Sequence, residues 1–87
     1  MITVKRFQAT WCGPCQALKP IFNELKAEYP QINFEDIDVD NDPTQAQQLG
    51  IRSVPTVVIL NNGAEVTRVT GAQNKNTYIQ NFNNILA

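Results

Sequence analysis

The chain has 87 residues, 43% of them hydrophobic and 17% charged, with a formal net charge of −1. That length supports one compact domain around one core and no second domain, and the composition excludes both a disordered polyelectrolyte and a surface built to hold nucleic acid. No apolar stretch reaches the length of a signal peptide or a membrane span, so the expectation is a cytoplasmic protein without membrane association.

Ile2 to Phe7 carries β-formers and leads through Ala9, Thr10 and Trp11 into a loop that ends at Cys12, which reads as a strand feeding a loop. From Pro14 onward Leu18, Ile21, Phe22, Leu25 and Tyr29 recur at three- and four-residue spacing, the pattern of an amphipathic helix. Pro14 suits its first turn, Pro20 predicts a kink, and Pro30 helps to end it. Ile32 to Val39 alternates apolar with charged residues, which fits a strand at the rim of a sheet, and the acids Glu35, Asp36, Asp38 and the following Asp40 support this. Asn41 or Asp42 then caps a short helix that starts at Pro43, passes Ala46 and Leu49, and stops at Gly50. Thr56 to Leu60, the turn Asn61-Asn62-Gly63, and Glu65 to Thr70 form a hairpin. Tyr78, Ile79, Phe82, Ile85 and Leu86 mark a closing helix.

The resulting order, β-α-β-α-β-β-α, is an α/β fold: a right-handed crossover joins two parallel strands, and an antiparallel hairpin completes a four-stranded mixed sheet of expected order 2-1-3-4 with three helices. With the first strand central, the loop after it opens at the carboxyl edge of the sheet, where α/β proteins place their sites. Cys12 lies there.

Cys12 and Cys15 are the only cysteines, too close to staple a small secreted fold. A Cys-x-x-Cys beside a βαβ pattern is a redox signature. Half a zinc site is the other use of the spacing, but tetrahedral closure needs four ligands and the chain has no histidine and no third cysteine, so no metal is expected. At the start of a helix, unpaired amides and the helix dipole favour the thiolate of Cys12, which makes it the nucleophile. A free thiol with a pKa of about 8.5 is only about 3% thiolate at pH 7, so modest tuning is enough. Cys15 shares a helix face with Leu18 and Phe22 and is therefore shielded, as suits the resolving thiol. Gly13 lets a bulky sulfur approach the helix end and Pro14 fixes the backbone. Trp11 either shields the pair or simply packs in the core.

Trp11-Cys12-Gly13-Pro14-Cys15 resembles the active site of the thioredoxin family, and Gly50-Ile51-Arg52-Ser53-Val54-Pro55-Thr56 resembles that family's cis-proline loop. Pro20, Gly63 and Gly71 also fall where thioredoxins have them, so the resemblance spans Ile2 to Ala87. Ordinary thioredoxins carry a further strand and helix before this point, so the expectation is a minimal fold similar in outline to that of glutaredoxins. The resemblance implies a protein-disulfide reductase with no bound cofactor beyond a redox-active Cys12–Cys15 disulfide. It also implies a cis Pro55 facing the cysteines, against the plainer reading of a proline that merely opens a strand. Substrate would meet Trp11, Val54, Pro55, Gly71 and Ala72, with the Val54 backbone pairing to an extended chain. The implied partners are disulfide-containing proteins and thioredoxin reductase, with a monomer as the default. A glutathione-fed glutaredoxin-like reductase and a non-catalytic accessory subunit of a larger enzyme are the competing functions.

One position departs from the family. Where thioredoxins carry a buried aspartate, six residues before the first cysteine, this chain has Arg6, and the lysine that partners it falls at Asp36. The expectation is a reversed Arg6–Asp36 ion pair between neighbouring strands, with Lys5 and Glu35 doing the same, set against both side chains pointing to solvent. An Arg6 near Cys15 would favour that thiolate, and whether Asp36 or water takes its proton stays open.

Overall fold

The computed structural model describes residues 1–87. Its elements are β1 (Ile2–Gln8), α1 (Gly13–Glu28), β2 (Asn33–Asp38), α2 (Pro43–Gln48), β3 (Thr56–Asn61), β4 (Ala64–Thr70) and α3 (Lys75–Leu86). The sheet order is β2-β1-β3-β4, with β1 parallel to β2 and antiparallel to β3, and β3 antiparallel to β4. Element order and sheet order are those expected from the sequence. β2 is one residue shorter at each end than the apolar alternation suggested, and it is an edge strand.

Period-two alternation assigns the side chains of β1 to two faces. Ile2 and Val4 join Leu18, Phe22, Leu25, Ile32, Val57, Ile59, Tyr78 and Phe82 in a ten-residue core beneath α1 and α3. Four edge-to-face aromatic contacts tie that layer together: Phe22 with Tyr78 (5.0 Å) and Phe34 (6.3 Å), and Phe82 with Phe34 (5.8 Å) and Tyr29 (5.3 Å). Each such pair adds about 0.5–1.5 kcal/mol beyond area burial. Phe7 points the other way, into a smaller core with Ile37, Ala46, Val58 and Leu60 under α2. β3 is buried on both faces from Thr56 to Leu60, which is why its sequence reads as an unbroken β-branched and leucine run.

Local chemistry sets the ends of the elements. Asp42 caps α2 by accepting the Gln45 N–H, and Asn74 caps α3 by accepting the Thr77 N–H, a cap the apolar pattern of α3 did not point to. In the hairpin, Asn62 (φ 52°) and Gly63 (φ 87°) both take positive φ, as a two-residue turn with right-handed strand twist requires. A bulge at Ile59/Leu60 opposes Thr67 and Glu65 and leaves Val66 unpaired and half exposed. α1 runs through Pro20, whose missing N–H leaves the Gln16 carbonyl without its helical donor. No helix is long and apolar enough to cross a membrane.

Candidate functional site

The end of β1 delivers the chain to the site. Ala9 is buried, and a turn in which the Cys12 N–H donates to the Ala9 carbonyl (3.2 Å) brings Cys12 to the cap position of α1. Its Sγ accepts the Cys15 N–H at 3.2 Å, so the sulfur occupies the place a serine or aspartate oxygen takes at an ordinary helix start. Cys12 and Cys15 form a disulfide, with Cα atoms 5.2 Å apart. Cys15 has no exposed surface and Cys12 retains 5%. Gly13 and Pro14 are exposed between them, and nothing lies within 4 Å of where a Cβ on Gly13 would be.

Opposite the pair lies the loop between α2 and β3. The Val54–Pro55 peptide bond is cis, and the Val54 carbonyl oxygen lies 3.7 Å from Cys12 Sγ. Pro55 is buried, and its carbonyl accepts the Gly71 N–H at 2.8 Å, which draws the loop after β4 alongside. Gly71 holds φ +82°, a conformation that resists any side chain. Ala72 next to it is exposed. Trp11 is 70% exposed, which overturns the reading of it as core packing. Its indole N–H donates to Asp40 Oδ2 at 2.9 Å. Trp11, Val39, Ala46, Ile51, Arg52, Ser53 and Val54 line a shallow, mostly apolar groove of about 180 Å³ next to Cys12.

Arg6 is buried, with only 1% of its surface exposed. The parallel register sets it beside Asp36, and its Nε donates to Asp36 Oδ1 at 3.0 Å. Lys26 of α1 reaches the other Asp36 oxygen, also at 3.0 Å. The Arg6 guanidinium stacks over Phe22, 5.5 Å from the ring centre, and Nη1 donates to the Cys15 carbonyl at 3.1 Å. The reversed ion pair is therefore present, and Arg6 does not point to solvent. Lys5 and Glu35 stand 4.0 Å apart on the opposite face, where Lys5 also donates to Gln45. Burial pushes the Asp36 carboxyl up, but hydrogen bonds and charge from Arg6 and Lys26 outweigh it and hold the group below the usual carboxylate range. Burial pushes the Tyr78 hydroxyl up, offset in part by the Gln73 N–H it accepts and by the Arg6 charge.

The fold agrees with comparisons to known proteins. A family model described as Thioredoxin matches residues 2–84. The chain belongs to the thioredoxin family. It is 38% identical over 77 residues to a thioredoxin of Chlamydia caviae, covering 88% of this chain and 76% of that protein. It is 39% identical over 71 residues to Thioredoxin-1 of Saccharomyces cerevisiae, covering 82% and 69%. The crystal structure of thioredoxin from Trypanosoma brucei brucei superposes with a TM-score of 0.93 at 29% identity, over 99% of this chain and 75% of that one.

As a member of the thioredoxin family carrying a Cys-x-x-Cys disulfide, the chain is a thiol-disulfide oxidoreductase, specifically a protein-disulfide reductase. No group of three or more His, Cys, Asp or Glu is arranged to hold a metal ion. The structure brings Trp11, Cys12, Gly13, Pro14, Cys15, Val54, Pro55, Gly71 and Ala72 to one edge of the sheet, while Arg6 and Asp36 sit beneath it. Sequence reasoning missed Asp40 as the anchor of Trp11, and Lys26 as the third member of the charge cluster. The run of acids after Ile32 was the available signal for Asp40; nothing local pointed to Lys26.

Proposed function

We propose that this thioredoxin-family chain works through Cys12 as nucleophile and Cys15 as resolving thiol in its Cys-Gly-Pro-Cys motif. Cys12 attacks one sulfur of a target disulfide, the other target sulfur leaves as a thiol, and a mixed disulfide forms. Cys15 then attacks Cys12 Sγ, the second target thiol leaves, and two electrons have passed to the target. The observation that carries this reading is the asymmetry of the pair. Cys12 Sγ caps α1 and accepts an amide, and Cys12 keeps a little exposed surface, whereas Cys15 keeps none.

The surrounding residues support protein substrates. Trp11, Val54, Pro55, Gly71 and Ala72 offer a rim with an apolar groove, and Val54 lies outside the sheet ladder with its carbonyl beside Cys12, so an extended substrate can pair to it as an added strand. Gly13 leaves room for the incoming sulfur and Pro14 holds the first turn. The reading includes a single domain over residues 1–87, acting as a cytoplasmic monomer that needs no cofactor beyond its own disulfide and is recharged by thioredoxin reductase.

Insulin disulfide reduction at pH 7 tests it, with NADPH and thioredoxin reductase in one arm and NADPH, glutathione and glutathione reductase in the other. Turnover in the first arm, falling to background in Cys12→Ser, is expected. Turnover only with glutathione would assign the glutaredoxin-like donor instead. Failure with dithiothreitol as well, with partner binding kept when both cysteines are serine, would make the chain an accessory subunit.

A further inference from the structure

The redox pair rests on a buried cation. Arg6 enters from β1, Asp36 from β2 and Lys26 from α1, and the two ion pairs share the single carboxylate of Asp36. Two positive charges against one negative leave the cluster with an uncompensated positive charge. Tyr78 from α3 also lies on this side, and as a phenol it is neutral at ordinary pH, with burial pushing its ionisation further up. Asp36 is held ionised by its two partners. Of this cluster, Arg6 touches the pair directly: its Nη1 donates to the Cys15 carbonyl and its side chain is 2% exposed, so bulk water and salt screen it weakly.

We propose that Arg6 is a positioning residue for the redox pair: its guanidinium, docked on the Cys15 main chain, stabilises the Cys15 thiolate and makes the Cys12–Cys15 disulfide easier to reduce. A dithiol reductant supplies the electrons. Its first thiolate attacks Cys12 Sγ, the S–S bond breaks and Cys15 leaves as a thiolate. The second thiol of the reductant then displaces Cys12, and the reductant ends as a disulfide. Two electrons pass to the protein, and the proton Cys15 does not keep goes to solvent. A cation beside Cys15 favours the side of that equilibrium carrying the new negative charge and improves Cys15 as the leaving group. The pair therefore accepts electrons more readily, and is a milder reductant, than the same fold with a neutral residue at this position.

This inference rests on Cys12 and Cys15 being the exchanging pair, and its test reads the pair without any protein substrate. The folded chain is equilibrated in dithiothreitol redox buffers at pH 7, and thiolate ultraviolet absorbance is followed against pH. Arg6→Gln is expected to lower the equilibrium constant for reduction about tenfold, equivalent to about 30 mV for a two-electron couple, and to move thiolate formation to higher pH. Arg6→Lys, which keeps the charge, is expected to restore most of both. Equal shifts in the two variants, or none in either, would overturn the inference. Should Arg6→Gln not fold, the half-exposed members of the cluster decide. Lys26→Gln is expected to lower the constant about two- to threefold and Asp36→Asn to raise it, and shifts of one sign or of zero would overturn the proposal. A pair that never exchanges with the dithiol would sink the functional reading itself.

Discussion

The two faces of the sheet are built to different standards. Beneath α1 and α3, ten buried residues and four edge-to-face aromatic contacts enclose Arg6 and carry the Cys12 end of α1. Beneath the six-residue α2, five buried residues suffice, and the helix borders an open polar groove of about 380 Å³ lined by residues such as Lys5, Asp42, Thr44, Gln45 and Gln48. The difference follows from what each face has to hold. The first must keep a helix N-terminus, two sulfurs and a buried charge in fixed register, and dense aromatic packing does this because interiors transmit displacement rather than absorb it. The second only supports the loop from Gly50 to Pro55, and a helix this short depends on its cap and on a few apolar contacts.

That contrast can be broken with paired truncations. Phe82→Ala in α3 removes a fully buried ring in contact with both Tyr29 and Phe34, and is expected to cost about 3–5 kcal/mol in urea unfolding. Leu49→Ala at the end of α2 trims a partly buried side chain and is expected to cost about 1 kcal/mol. Hydrogen exchange sharpens the same point: α2 amides are expected to exchange faster than those of α1 between Leu18 and Leu25. Equal costs and equal protection would mean that the faces contribute alike.

Acid titration probes the charge buried in the stronger face. The folded-state carboxyl of Asp36 is held below its ordinary range, so its stabilising contribution is complete above about pH 4 and is lost as pH falls through the depressed folded value. Asp36→Asn lacks that contribution at every pH. The gap in unfolding midpoint between wild type and variant is therefore expected to narrow from about pH 6 to about pH 2, and a constant gap would show that Asp36 titrates alike in the folded and unfolded chain.

How much of this was legible from residues alone depended on the range of the interaction. Leu18, Phe22 and Leu25 announced the buried face of α1 because helical period is a local property, and Cys15 fell on that face by the same count. Arg6 was marked by its departure from the family, but whether it was buried stayed open; the parallel register puts it opposite Asp36, and its side chain is buried. Lys26 and the pairing of Asp40 with Trp11 were not legible, because each depends on where separate elements meet. The bulge that frees Val66 was also missed, since a β-branched run looks the same with or without one unpaired residue.

The smallest expected effect on stability falls at the residue with the most to say about substrates. Trp11 is mostly exposed and fastened by one surface hydrogen bond to Asp40, so Trp11→Ala is expected to change unfolding free energy by no more than about 0.5 kcal/mol. Under the proposed function, this exposed ring beside Cys12, with Val54, Ile51 and Arg52 also lining the groove, is the contact area for a protein substrate. Insulin turnover is therefore expected to fall several-fold in Trp11→Ala, while exchange with dithiothreitol, too small to use the groove, stays close to wild type. Asp40→Ala, which frees the indole without deleting it, is expected to lie between the two. If both variants turned over insulin at the wild-type rate, substrate recognition would have to be placed on the Val54, Gly71 and Ala72 side of Cys12.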